Sequence, residues 1–408
     1  MGVIGELVHT RGVDAVAVEE HSRSGHDPVA RPAAAALERH SGSLIHTFHD
    51  QKYTELFTRR GLRGSVAFDE VNRTVYLNAV RVIRRGAADC RTHRDRRDVL
   101  EMSGEGLFLI TAATGKTGMH ATSALIKRGL RVRALVRRFD GRSDQLAALG
   151  AEIAQGDLLD FDDVSSALAG VAGAYFCYPI DPGRLLEATA IFAQAATETG
   201  VRSVVNMSQI SARREATSHA ARQHWLAERL LDRFTFRTTH IRPTFFAEWL
   251  IAQWWRRDGE AVLRLPFGAG RHAPIAAADQ GRFIAAVLAN PEPHDRQTYP
   301  LCGPVELDHY EIASKLSHVL EMPVHYQPVE ISEFAKALEL QSRTPFLVQH
   351  ISSVAQDYRD GIFSGANNLV EVVTGTPAMT VEEFARANRA AFDGPGLAAR
   401  PAEMHVQS

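Results

Sequence analysis

The chain has 408 residues, enough for two domains, and its 45% apolar and 23% charged residues are the proportions of an ordinary globular protein. A formal net charge of -2 gives no overall pull toward nucleic acid, an anionic membrane or acidic ligands. Cys90, Cys177 and Cys302 are a scattered, odd set without a Cys-x-x-Cys pair, which argues against a disulfide framework and a zinc site and fits a reducing compartment.

No apolar run reaches membrane-spanning length, and the opening "MGVIGELVHTRG" lacks the basic-then-apolar pattern of a secretory signal. A cytoplasmic protein without a membrane partner is expected. Residues 1–101 hold fifteen arginines and one lysine, Lys52, and show little apolar period outside "SVAFDEVNRTVYLNAVRVI", which suits a hairpin. Met102 stands just before a clear strand. Residues 1–101 are therefore expected to be a poorly structured or non-native extension, with Met102 the natural start. The alternative, a basic arm for nucleic acid, is disfavoured because the arginine run over 81–97 has no interleaved aromatic residue.

From residue 106 short apolar strands alternate with amphipathic helices. "LFLIT", "RVRALV", "AEIAQGD", "AGAYFCYP" and "SVVNMS" are the strands; "MHATSALIKRG", "SDQLAALG", "DFDDVSSALAGV" and about 184–199 are the helices. This alternation predicts an α/β fold with a doubly wound parallel sheet, whose ligands bind beyond the carboxyl ends of the strands. The expected division is a Rossmann-like domain over 102–260, joined by elements near 275–305. A smaller α+β substrate or cap region follows over 261–393, carrying the helices "HYEIASKLSHVL" and "EISEFAKALELQ", and 394–408 form a flexible tail.

In "TAATGKTG" a strand runs straight into a helix, with Gly115 and Gly118 three residues apart. Gly115 lets backbone approach a pyrophosphate, Gly118 lets the helix pack on the sheet, and the helix amino-terminus faces the phosphates. An enzyme that takes NAD places an acid about 20 residues on to bond the ribose. Here "RALVRRFD" puts Arg137 and Arg138 there, and guanidinium groups suit a 2′-phosphate. NADP(H) is expected in preference to NAD(H), with Lys116 adding positive charge. Asp157 and Leu158, beyond the third strand, are placed to meet adenine. Tyr178 and Pro179, beyond the fourth, are placed near the nicotinamide ribose.

With these motifs and "VVNMSQ", "AERLL", "THIRPTFFAEWL", "GRHAPIAAADQG" and "YPLCGP", the chain resembles the NmrA-like family of atypical short-chain dehydrogenases/reductases over roughly residues 106–392. The resemblance implies a Rossmann-like domain that binds NADP or NAD and a small carboxy-terminal substrate domain. It implies that Gly115, Lys116, Thr117 and Gly118 line the pyrophosphate and that Arg137 and Arg138 take the 2′-phosphate; Thr111, which opens the turn, joins the cofactor set. One departure is Ala112, where the family has its first glycine. Its methyl is tolerable if the position is not left-handed.

Ordinary short-chain dehydrogenases carry a Tyr-x-x-x-Lys pair that passes a proton to the substrate oxygen. In "SHAARQHWLAERLLDRF", with His224 at the lysine position, Ala220 takes the place of the tyrosine. One reading is a reductase of quinones, dyes or enones that need little acid catalysis, with His224 as proton source and Ser208 and Gln209 bonding a substrate oxygen. Phe245, Phe246 and Trp249 in "PTFFAEWLIAQWW", with Trp254 and Trp255 a turn later, would stack on a flat apolar substrate. The other reading is a non-catalytic redox sensor with the same cofactor site that acts through a protein partner. His272 is read as a loop residue and Asp279 as the cap of the next helix. No His/Cys/Asp cluster has metal-ligand spacing.

Overall fold

Strand β1 (Leu107–Ile110) is apolar and buried at every position, the pattern of a strand covered on both faces. The computed structural model describes residues 106–180, 184–257, 259–341 and 343–393, so the expectations for 1–101, Met102 and 394–408 lie outside the described residues. After β1 come α1 (Lys116–Lys127), β2 (Arg131–Val136), α2 (Gly141–Ala148), β3 (Glu152–Gln155), α3 (Phe161–Leu168), β4 (Val171–Phe176) and α4 (Leu185–Glu198). β5 (Ser203–Met207), α5 (His219–Leu231) and β6 (Arg237–Pro243) complete the alternation. Caps set the helix starts. Asp140 and Ser143 form a capping box for α2, Asp160 caps α3 and Ser218 caps α5.

The strands form one seven-stranded sheet in the order β10-β6-β5-β4-β1-β2-β3, where β10 is Gln297–Leu301. All its pairings are parallel. The chain is a doubly wound α/β protein, and its strand order reverses between β1 and β4. One face is covered by α1 and by α7 (Ala277–Ala289), which cross closely at Gly281. A Cβ there would lie 2.6 Å from the His120 Cβ, so only glycine permits this approach. The other face, under α3, α4 and α5, buries Leu109, Phe176, Phe192 and Leu231. Each such side chain contributes about 2 kcal/mol on burial.

A third core surrounds a small sheet of β7 (Trp254–Arg257), β8 (Glu260–Leu265) and β12 (Val324–Pro328), and β9 (Arg271–His272) pairs antiparallel with β11 (Leu307–Asp308). Around it lie α8 (His309–Leu320), α9 (Ile331–Leu340), α10 (Pro345–Arg359), α12 (Val381–Ala387) and α13 (Arg389–Asp393), while α11 (Leu369–Thr374) packs against α7 in the first core. Two expectations are corrected here. The aromatic run is not one helix: α6 (Glu248–Ala252) stops, and Trp254 begins a strand, fully buried with its indole N–H donating to Phe392 O at 3.0 Å. Bulky Trp254 and Trp255 suit the strand's pleat, and Trp254 is core, not cleft. Nor does Asp279 cap α7, whose first residue Ala277 instead donates its N–H to the Glu248 carboxylate at 3.0 Å. Asp279 bonds Arg282 and the Met379 N–H.

Candidate cofactor and substrate site

The glycine turn joins β1 to α1 at the reversal of the strand order. Thr111 is buried, and its hydroxyl accepts from Cys177 N at 2.8 Å and donates to Cys177 O at 3.1 Å. It ties the ends of β1 and β4 together. Its O–H is thus engaged inside the protein, where it shapes the turn. Gly115 is the amino-cap of α1 and offers no side-chain cap, which leaves the first-turn N–H groups to a ligand. A Cβ on Gly118 would sit 2.5 Å from Ala112 O and 2.8 Å from the Ala113 Cα, so this glycine lets the helix start press against the turn. Thr117 is buried beside it, while Lys116 is exposed at the rim.

Ala112 has φ 47°, a left-handed conformation, so the condition under which its methyl was tolerable is not met. Such an alanine costs roughly 1–2 kcal/mol. Ala112→Gly is expected to raise the melting temperature by the equivalent of up to about 1 kcal/mol, because part of the relief is offset by glycine's entropy. A thermal melt of the variant checks this, and a lower melting temperature would show that the methyl's packing outweighs its strain.

Beyond β2, the Arg137 and Arg138 side chains are 81% and 79% exposed, with only loose carboxylate contacts at 3.8 Å, to Asp157 and Asp140. Asp140 is committed elsewhere. It caps α2 and bonds the Arg142 side chain, which with the Arg142 amide holds its carboxyl down to about 2. Asp157 accepts from Leu159 N at 3.0 Å, and its own N–H donates to Asp163 at 2.9 Å. The Leu158 side chain is buried in the core, so only its backbone can face a ligand. Arg137, Asp157, Leu159, Tyr178 and Arg184 line an open cleft of about 500 Å³. Pro179 follows at the exposed end of β4.

The two catalytic candidates are Ser208, just after β5, and His224, on α5. Ser208 is buried and donates its single O–H to Glu228 at 2.6 Å, so that proton is not available to a substrate oxygen. Glu228 also accepts two bonds from Arg242, at 2.8 and 2.6 Å. His224 is buried, and burial pulls its imidazole down to about 4, outweighing the opposing effect of Glu228. An imidazole held that low is a poor acid source at neutral pH, because its cationic form is disfavoured by burial. Gln209 accepts from the Ser211 hydroxyl at 2.7 Å, and its Nε2 is buried without a protein partner.

The aromatic candidates divide. Phe245 is partly buried in the third core, stacked on Phe363 with ring centroids 4.7 Å apart and tilted against Phe267 at 4.8 Å. Trp249 is partly exposed and meets Phe245 edge-on at 5.4 Å. Phe246 is partly exposed and bridges to Ile275. Glu248 sits between them, and burial raises its carboxyl above the ordinary range although the bond from Ala277 N opposes this. Among the described residues no cluster of three or more His, Cys, Asp or Glu side chains would hold a metal ion.

The glycine cradle, the uncapped helix start and the exposed arginines fit a dinucleotide phosphate along the carboxyl edge of the sheet. The sequence profile of the NmrA-like family matches residues 105–384. The chain belongs to the NmrA-like family. Among proteins similar to this one, NAD(P)H azoreductase of Xenophilus azovorans is 29% identical over 290 residues, covering 70% of this chain and 99% of its own. The structure of an NADPH-dependent quinone oxidoreductase from Escherichia coli, complexed with NADPH, matches with TM-score 0.60 and 22% identity, covering 69% of this chain and 99% of its own. That of the negative transcriptional regulator NmrA, complexed with NAD, matches with TM-score 0.59 and 14% identity, covering 70% and 95%. The NmrA-like chain described here thus has the NAD(P)-binding fold that reductases and a regulator share. No helix among its described residues is long and apolar enough to cross a membrane.

Proposed function

We propose that this NmrA-like protein binds NADP(H) in preference to NAD(H) and reduces a flat, apolar, conjugated acceptor of the quinone, azo or enone type. The observation that carries the cofactor reading is the pair of exposed guanidinium groups, Arg137 and Arg138, beyond β2, where the nearby Asp140 is locked into a helix cap. The bound nicotinamide supplies hydride. The residues orient it: Gly115 and Gly118 admit the pyrophosphate to the start of α1, and the arginines hold the 2′-phosphate. Phe246 and Trp249 present partly exposed rings to the acceptor and exclude water beside it. With His224 neutral and the Ser208 proton given to Glu228, water delivers the proton, which suits acceptors that take hydride readily.

The second reading is a redox-sensing regulator with the same cofactor site. It is favoured by that lack of a free acid at Ser208 and His224. NADPH and NADH consumption by the full chain, against a quinone, an enone, an azo dye and a triphenylmethane dye, separates the two. Saturable consumption with NADPH preferred is expected; tight cofactor binding without consumption would favour the regulator. Arg138→Ala is expected to weaken NADPH about 10–100-fold, the loss of one charge-assisted contact, and to leave NADH nearly unchanged. Equal losses for both would refute the 2′-phosphate role.

A further inference from the structure

We infer that the Gln209 amide donates to the acceptor's carbonyl oxygen or azo nitrogen, and that Ser211, Arg213 and Asp357 position it. The inference rests on the reductase reading above. Gln209 follows β5 at the carboxyl edge of the sheet, and its Nε2 is buried without a hydrogen-bond partner in the protein. Buried polar groups nearly always have a partner, so one without calls for an explanation. The next residue, Ile210, donates its N–H to Pro243 O at 3.1 Å, which sets Gln209 beside the loop that carries Phe245 and Phe246. Ile210 and Phe245 pack against the same third core. Thr244, on that loop, also has a buried hydroxyl oxygen without a partner.

The amide is held from its other end. Ser211 Oγ donates to Gln209 Oε1 at 2.7 Å, the ordinary length of an O–H···O bond, and this leaves Nε2 as the free end. Ser211 is held in turn: Arg213 Nη1 donates to Ser211 O at 3.2 Å, and the Arg213 fork meets Asp357 at 2.8 and 2.5 Å. Such two-point contacts fix geometry. Asp357 is buried on α10, 144 residues away in sequence, and its neighbour Tyr358 backs the Phe245 ring at 5.7 Å. One helix therefore anchors both the amide and the ring. A fixed N–H suits an acceptor atom on which negative charge grows as hydride arrives from NADPH, leaving NADP+. A proton from water then completes the two-electron reduction. A flat cation without a lone pair would leave Nε2 unpaired, so it gains nothing from this donor.

Steady-state NADPH oxidation by the full chain tests this, with menadione and with N-methylacridinium, a flat hydride-accepting cation that has no lone pair. Gln209→Met keeps the length of the side chain and removes the donor. It is expected to lower kcat/KM about 10–100-fold for menadione and less than about threefold for the acridinium, without weakening NADPH. Ser211→Ala frees the amide to turn and should give the same selective loss at about 3–10-fold. A lone Arg213 variant would strand the Asp357 charge, so the pair is replaced together, Arg213→Met with Asp357→Leu. That double variant should show a loss of about the size of Ser211→Ala, again selective for menadione. A merely weakened fold would slow both acceptors alike. Equal losses for the two acceptors, or no loss in Gln209→Met, would overturn the assignment of Gln209. A selective loss in Gln209→Met without one in Ser211→Ala or the double variant would overturn the positioning roles. An unaltered chain that consumes NADPH with neither acceptor would instead overturn the reductase reading, and this inference with it.

Discussion

Between pH 7 and pH 5 the protein is expected to lose much of its folding stability. Burial pulls His224, His294 and His350 down to about 4 and His309 to about 3, and it holds His272 well below its ordinary value. Four of the five also hold a hydroxyl: His294 Nδ1 meets the Tyr299 hydroxyl at 2.9 Å, and His350 Nδ1 meets Ser218 Oγ at 2.8 Å. The Tyr358 hydroxyl bridges His272 at 2.6 Å and His309 at 3.2 Å. All five have folded values below the unfolded value of about 6.5. In that interval the unfolded chain binds more protons, so stability is full above about 6.5 and falls as pH drops toward about 4. Each ring then costs on the order of 2 kcal/mol at pH 5. Three to five rings together reach a large share of the roughly 5–15 kcal/mol that holds a domain folded. Glu248, whose carboxyl burial raises, works in the opposite direction, but it is one group. Urea unfolding at pH 7.5, 6 and 5 measures the slope, and His294→Gln should reduce it by about one proton. A midpoint that does not move between pH 7 and 5 would rule out the buried neutral rings.

Much of the central sheet was legible because β1, β4 and β5 are short, mainly apolar runs between helical periods, and the first strand's unbroken burial follows from its unbroken apolarity. The small third sheet was not. Its β7 begins at two tryptophans that also fit a helical stripe, and its β8–β12 pairing joins Ala261 to Val324 across a long separation. The glycine turn could be read residue by residue except at Ala112, because a left-handed φ leaves no mark in an alanine. Ser208 and His224 were placed at the right strand end and helix by spacing. Their chemistry was not, because it depends on a neighbour that spacing does not pair with them. Arg242 was the available clue: a charge inside the apolar strand "THIRPT" calls for a buried partner, and that partner is Glu228.

Arg242→Leu is expected to destabilise the protein by about 3–5 kcal/mol, the usual result of leaving a buried charge without its partner. Glu228 has no exposed surface, and burial alone would raise its carboxyl. The two Arg242 bonds and charge, helped by His240 and the Ser208 hydroxyl, outweigh that and hold it below the ordinary range. Without Arg242 the balance reverses. The folded carboxyl would then lie above its unfolded value, so the added penalty is greatest above that raised value and shrinks as pH falls. The variant should therefore differ least from the unaltered chain in acid, opposite in sign to the histidine effect. Replacing both partners, Glu228→Gln with Arg242→Leu, removes the stranded charge and should recover at least half of the loss. The same variants bear on function, because Glu228 is the acceptor that fixes Ser208 at the carboxyl end of β5. In the double variant Ser208 keeps an amide oxygen to bond, and cofactor binding should be retained. In Arg242→Leu the strained carboxylate should loosen the Ser208–Gln209 loop and raise KM for the acceptor more than for the cofactor. A double variant no more stable than Arg242→Leu alone would show that shape, not charge, carries this contact.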